Sequence, residues 1–229
     1  MTRPGSVKLR SFHLLSKRST FVVAVILTSF LGGCTTASRG TADSFRLLTG
    51  NGIRISPGEV AKSRFPQAQV STPDLSALIV LGYVDSGLQT WYAGSHAVFR
   101  MNSKGLLLGT SGLGRDLRAR ILGSSPFERI MEVDAPVKVN REYDWLPAYK
   151  FGVSVTGTLS PEGIETVEIL GQKMRLARFE EALEGGGMRG RNIYWADTST
   201  GFVLKSRQYL APDYAVDLVQ LKPYQEADD

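Results

Sequence analysis

Residues 77–84, ALIVLGYV, form an unbroken apolar run rich in branched and aromatic side chains, and the chain after it keeps the same pattern. Asp85-Ser86-Gly87 supplies a turn before LQTWYA (88–93), and Gly94-Ser95 supplies a second before HAVFRM (96–101). Asn102-Ser103-Lys104-Gly105 then precedes LLLGT (106–110). Short β-prone runs divided by Gly, Asn, Asp and Ser at near-regular spacing predict a meander of four antiparallel strands.

Residues 113–122, LGRDLRARIL, break that rhythm and predict a short helix with Leu113, Leu117 and Ile121 on one side. From Ile130 the alternation returns. Met131, Val133, Ala135, Val137 and Val139 oppose Glu132, Asp134, Lys138 and Asn140, which predicts a strand with one wet face. Pro136 has no amide donor and places that strand at an edge or at a bulge. Phe151, Val153, Val155 and Leu159 alternate with small polar residues, and Ser160-Pro161-Glu162-Gly163 predicts a turn. Between 164 and 181, the propensity of KMRLARFEEAL fits an amphipathic helix. The alternation of IETVEIL and the Gly171-Gln172 pair favour two strands joined by a tight hairpin, and that reading is preferred. Gly185-Gly186-Gly187 reads as a mobile loop. RNIYWA and GFVLKSRQYL flank Asp197-Thr198-Ser199-Thr200-Gly201 as a further hairpin, YAVDLVQL (214–221) is a last strand, and QEADD is a frayed acidic tail. The expected fold is all-β: an antiparallel, strongly curved sheet or barrel with one or two short helices.

Toward the N-terminus, Pro57 opens GEVAKSRF in the manner of a first helical turn. TTASRGTADS (35–44) is small, polar and without hydrophobic period, as a flexible tether should be. The stretch before it fixes the compartment. Arg3, Lys8, Arg10, Lys17 and Arg18 precede the apolar run Phe21–Leu31, followed by Gly32-Gly33-Cys34, the order of a secretory signal peptide. The run is shorter than the ~20 residues of an ordinary spanning helix. The alternative is an uncleaved membrane anchor. Leu31-Gly32-Gly33-Cys34 resembles the lipobox of bacterial lipoproteins, which implies a signal peptide over 1–33, an acylated flexible tether over 34–44 and one β-rich periplasmic domain over 45–229. Cys34 is the single cysteine, so it has no disulfide partner in the chain and is the expected site of lipidation. Two or more acyl chains anchor stably, at ~0.8 kcal/mol per buried methylene. Thr35, where aspartate is absent, resembles the pattern sorted to the outer membrane in enteric-type bacteria.

The chain carries 27 basic and 22 acidic residues, but the five basic residues of the signal segment account for the whole excess. The body is charge-balanced, which argues against a nucleic-acid partner. Nucleophile and metal chemistry lack raw material. His96 is the one histidine outside the signal segment, no GxSxG elbow accompanies it, and zinc sites of His and Cys are excluded by count. The glycines at 109, 112 and 114 have the wrong order for a dinucleotide loop. No cofactor is expected. Paired carboxylates remain: Glu132 with Asp134, and Glu180, Glu181 and Glu184, of the kind a glycosidase uses. Trp91-Tyr92, Trp145, Tyr149 and Tyr194-Trp195 either stack on sugar rings or fill a small core.

LIVLGYVDSGLQTWYAGSHAVFRMNSKGLLLGTSGLGRDL (78–117), NIYWADTSTGFVLKSRQYLAP (192–212) and the closing LKPY (221–224) together resemble the YjbF-type family, the group 4 capsule (GfcB-like) polysaccharide lipoproteins. The middle of the chain, 123–190, carries less of the likeness. The resemblance implies a mainly β, barrel-like outer-membrane lipoprotein of exopolysaccharide or capsule export, without enzymatic activity. Its partners would be the membrane through its acyl chains, polysaccharide and export-machinery proteins. Trp91, Tyr92, Trp195, Asp197, Arg207 and Gln208 are the candidate glycan or partner contacts. Two alternatives stand beside this reading: a carbohydrate-active enzyme working with Glu132 and Asp134, and a carrier holding a hydrophobic ligand in the concavity of a curved sheet.

Overall fold

The computed structural model describes residues 55–146 and 148–224. The lipobox, the tether and the QEADD tail lie outside the described residues. Twelve antiparallel strands close into one barrel, each paired with its neighbours in sequence and the last paired with the first. They are β1 (Gln67–Ser71), β2 (Ser76–Asp85), β3 (Leu88–Ala93), β4 (Ala97–Met101), β5 (Leu107–Ser111), β6 (Asp116–Ile121), β7 (Val137–Leu146), β8 (Lys150–Ile169), β9 (Gln172–Gly185), β10 (Met188–Asp197), β11 (Val203–Ala211) and β12 (Tyr214–Lys222). The predicted meander is β2–β5. A short α-helix, α1 (Pro57–Lys62), leads into β1; Ser56 caps it, its side chain accepting from Glu59 N–H while the Glu59 carboxylate accepts from Ser56 N–H.

Three local expectations are corrected. The helix predicted at 113–122 is β6, because Leu117 and Ala119 alternate with Arg118 and Arg120 at period two, and closure of the barrel needs a strand between β5 and β7. The strand predicted from Ile130 begins only at Val137. Residues Pro126–Glu132 are instead a 3-10 helix that drives Phe127 and Ile130 into the barrel mouth, and Pro136 lies ahead of the strand. The turn predicted at Ser160–Gly163 does not form. β8 runs through it as a register shift opposite Phe179 and Arg178, because proline and glycine fit a bulge as well as a turn. The triple glycine is a tight hairpin joining β9 to β10, and the favoured hairpin is present with its turn at Leu170-Gly171, one residue before the expected Gly171-Gln172, both turn residues in the left-handed region.

A twelve-stranded barrel is wide enough to enclose a cavity, but side chains fill this one. Trp91, Phe99, Met101, Leu117, Tyr143, Tyr214 and Val216 pack into an upper cluster. Leu106, Phe127, Ile130, Val139, Leu159, Phe179 and Tyr194 pack into a lower one beneath the 3-10 helix. The hydrophobic-ligand reading therefore has no lumen to use. The outer wall of β6, β7 and β9–β12 carries Arg118, Arg120, Glu142, Glu180, Arg191, Arg207 and Asp217, the opposite of the apolar band a membrane-spanning barrel turns to lipid.

β8 and β9 outrun their neighbours. Beyond Leu159, where pairing with β7 ends, the β8–β9 hairpin curls back along the outside of the barrel. Val167, Ile169 and Leu176 there pack with Trp195 and Leu204, with Met174, Phe202 and Leu221 at the margin. This flap hides apolar surface that would otherwise sit in water.

Candidate functional site

Three places in this frame hold polar side chains in unusual settings. The first is inside the barrel, between the two apolar clusters. On β7, Arg141 separates Val139 below from Tyr143 above; on β9, Glu181 separates Phe179 from Leu183; on β8, Gly157 separates Leu159 from Val155. Arg141 Nε donates to Glu181 Oε1 at 2.6 Å and a terminal guanidinium nitrogen donates to Oε2 at 2.8 Å, a fork-to-fork pair. Asn192 Nδ2 and the Tyr194 hydroxyl donate to the same Oε2 at 2.9 and 2.8 Å. The Asn192 side-chain carbonyl in turn accepts from Tyr209 N–H at 2.7 Å. Glu181 is fully buried. Gly157 makes the space: a Cβ there would collide with the Glu181 carboxylate. Phe127 of the 3-10 helix packs edge-on to the Tyr194 ring at 4.8 Å and lies 5.6 Å from the Arg141 guanidinium.

Burial works against the Arg141 charge, yet the Tyr194 oxygen and the Glu181 carboxylate beside it more than offset this, and its pKa lies above the ordinary arginine value. Burial raises Tyr194 well above the usual tyrosine range against the opposing pull of Arg141. Burial likewise pushes Tyr143 up to about 12, and its hydroxyl makes no hydrogen bond of regular geometry. A fully buried pair of this kind ties β7 to β9 across the barrel interior, with Glu181 shut off from solvent.

The second place is a groove of about 870 Å³ at the lower rim. Val60 of α1, Ile169 and Met174 of the flap, and Phe202 and Leu221 form its apolar wall, with Asp197, Ser199 and Thr200 on its lip. Asp197 is saturated by its own turn. Its Oδ1 accepts from Ser199 N–H and Thr200 N–H, each at 2.9 Å, and from both hydroxyls. The Ser199 hydroxyl is the largest cause of a carboxyl pKa below the usual range.

The third place is the outer wall of β2–β6. Tyr83, Leu88 and Tyr92 are large, apolar and exposed there. Gly82 carries no side chain, and a Cβ at that position would collide with the Cδ2–Cε2 edge of the Tyr92 ring, so the ring needs the space that glycine leaves.

The six sequence candidates do not converge. Trp91 is fully buried in the upper cluster, its Nε1 donating to Gln89 Oε1 at 3.1 Å. Gln208 is also inside, donating to the Ser206 hydroxyl at 2.9 Å. Trp195 faces outward under the flap and donates to Glu165 Oε2 at 3.0 Å, with Lys205 Nζ 4.6 Å from its ring centroid. Asp197 is on the groove lip, and Arg207 is on the open wall 3.8 Å from Asp217. Of the three aromatics among these six only Tyr92 presents a ring to solvent, while Tyr149, in the turn between β7 and β8, is the other exposed sequence aromatic at 77%. The candidate carboxylates are similarly scattered: Glu180 pairs outside with Arg178 and Arg191, Glu181 pairs inside with Arg141, and exposed Glu132 pairs with Arg129 at 3.2 Å. Sequence reasoning missed Tyr83, Arg100 and Arg118. Strand register sets all three on one face, and the register shifts that do so leave no mark in the sequence.

The family model described as "Group 4 capsule polysaccharide lipoprotein gfcB, YjbF" matches residues 34–221. The uncharacterized lipoprotein GfcB of Escherichia coli (strain K12) is 24% identical over 210 residues, covering 88% of this chain and 98% of its own. The crystal structure of the hypothetical lipoprotein YmcC from Escherichia coli (K12) superimposes with a TM-score of 0.67 at 20% identity, over 94% of this chain and 100% of that one. That likeness supports the barrel fold itself.

Proposed function

Because the chain belongs to the YjbF family of group 4 capsule polysaccharide lipoproteins, we propose that it assists assembly, secretion or retention of an exopolysaccharide by non-catalytic binding of glycan or export partners. Acyl chains on Cys34 hold it at the outer membrane with the barrel facing the periplasm. The observation that supports a binding role most directly is the filled barrel: with its lumen occupied by Trp91, Phe99 and Tyr143 and its lower mouth plugged by Phe127 and Ile130, it conducts no chain. Whatever it handles meets its outer surface.

Deletion of the gene is expected to change the amount or distribution of surface and secreted polysaccharide. Cys34→Ala is expected to give the same defect while releasing the protein from the membrane fraction. Unaltered polysaccharide in the deletion strain under inducing conditions would sink the reading.

A further inference from the structure

We propose that the outer wall of β2–β6 is a binding face for an acidic polysaccharide, with tyrosine rings under the sugar faces and arginines on the carboxylates. This rests on the reading above that the protein handles polysaccharide, and adds the place and the charge class of the glycan.

The face is written in the strand register. Tyr83 of β2 lies opposite Thr90 of β3, Thr90 opposite Arg100 of β4, Arg100 opposite Gly109 of β5, and Gly109 opposite Arg118 of β6. These five residues make one row across five strands, about 19 Å long at about 4.8 Å per strand. Their flanking neighbours Trp91, Phe99, Leu117 and Ala119 are in the core, so the row points outward. Thr90 is nonetheless only 2% exposed, which means the longer side chains around it lie across its position. Tyr92 stands one outward position from Thr90, its ring edge over Gly82, and Leu88 stands one position the other way. Tyr83 is 55% exposed and Tyr92 36%. At the β1 end, Leu81 N–H donates to Pro66 C=O, which brings Phe65 beside this face, with the Arg64 guanidinium 4.9 Å from its ring centroid.

Charge selects the ligand. Among the described residues, Arg64, Arg100, Arg118, Arg175 and Arg189 form no ion pair, whereas Arg115, Arg120, Arg129, Arg141, Arg178, Arg191 and Arg207 all do, and Arg64, Arg100 and Arg118 of the first group lie at this face. The acids nearest the row are occupied: Asp144, opposite Arg118, is held by Arg120 at 3.6 Å and by Gly152 N–H at 3.0 Å. Asp116 accepts from Gly112 N–H and Asp85 from the Ser86 hydroxyl, each at 3.0 Å. Three guanidiniums without an ion pair beside exposed tyrosine rings fit a polymer that repeats an apolar ring face and a carboxylate. A pyranose offers its C–H face to tyrosine, and a uronate offers a bidentate partner to arginine.

The test uses the full-length protein in detergent with two defined hexamers, oligoalginate and neutral maltohexaose, read by titration calorimetry. Oligoalginate is expected to bind and maltohexaose not. Tyr92→Ala should weaken binding roughly 3- to 10-fold, the range aromatic contacts span. Arg100→Ala and Arg118→Ala should each weaken it by roughly tenfold. Circular dichroism melts identify any variant that fails to fold, and Tyr92→Phe, which keeps the ring, should bind as the parent does. The proposal is overturned if maltohexaose binds equally, if the arginine variants bind like the parent, or if the folded protein binds neither hexamer. Preference of this face for phosphatidylglycerol vesicles over oligoalginate would also overturn it. Its failure is separable from that of the broader reading. A Tyr92→Ala/Arg100→Ala/Arg118→Ala variant that fully restores polysaccharide to the deletion strain defeats this face and leaves the pathway role intact.

Discussion

Two sets of arginines face opposite sides of the same barrel wall, and they are treated in opposite ways. Arg141 points inward, is 4% exposed, and has its charge consumed by Glu181 and Tyr194. Arg100 and Arg118 point outward and meet no acid among the described residues. The inner arrangement is closed to new partners because every strong acceptor is taken. The outer one is left open, and an unspent guanidinium on a stable wall is the kind of group a partner uses. Polarity alone therefore does not mark a site; whether the partners are already in the molecule does.

The sharpest way to break this contrast is to cut the inner pair. Arg141→Ala or Glu181→Ala leaves a buried charge without its counterion, at a cost of roughly 3–5 kcal/mol. For a domain of this size that corresponds to a fall in Tm of roughly 6–20 °C. Replacing both at once, Arg141→Met with Glu181→Leu, should recover much of the loss, because no stranded charge remains. Thermal melts of the three variants decide it. A single variant that melts like the parent would mean the pair does not hold the barrel.

Alkaline pH strains the same region without mutation. The folded pKa of Tyr143 is about 12 and the unfolded value 10.0, with burial the main cause. A raised folded pKa contributes stability that is complete below pH 10 and is lost as pH climbs toward the folded value. Between pH 10 and 12 stability should fall by roughly 1.4 kcal/mol per pH unit from this residue, with Tyr194 adding to the slope. Tyr143→Phe removes that residue's contribution, and denaturant melts at stepped pH should show a shallower decline. Gly157→Ala tests the space rather than the charge. Its Cβ would meet the Glu181 carboxylate, and the expected loss is roughly 1–3 kcal/mol, the range for overpacking a filled core.

How much of this was legible beforehand follows from where the determinants lie. The strands of β2–β5 and β9–β12 were readable because branched runs and turn residues are local signals. β6 was not, since Leu117 and Ile121 satisfy a helical spacing as readily as a β one, and only closure between β5 and β7 decides. The passage of β8 through Pro161 was hidden for a related reason: a bulge and a turn use the same residues, and the long partner strand β9 arbitrates. At the site level, Trp91 and Tyr92 were adjacent candidates that the period of two sends to opposite sides of the wall. Glu180 and Glu181 part in the same way. Tyr83, Arg100 and Arg118 are widely spaced in sequence and become one row only through bulges at β2–β3 and β4–β5 that shift register. A bulge is a single-residue event with no strong composition, so the row could not be assembled from the sequence alone.

The smallest expected effect completes the comparison. Arg100→Ala and Arg118→Ala should each change the Tm of the free protein by no more than a degree or two. Neither side chain has an ion pair to lose among the described residues, and exposed substitutions away from buried networks stay within about 0.5 kcal/mol. A matched control on the same wall is Arg207→Ala, which loses an exposed pair with Asp217 at 3.8 Å and should cost at most about 1 kcal/mol. If Arg100→Ala or Arg118→Ala instead destabilised the barrel by several degrees, these arginines would be holding the wall together, and the division between spent inner charges and open outer ones would collapse. If they leave the melt untouched while lowering affinity for an acidic hexamer, the same two substitutions separate folding from binding at single residues.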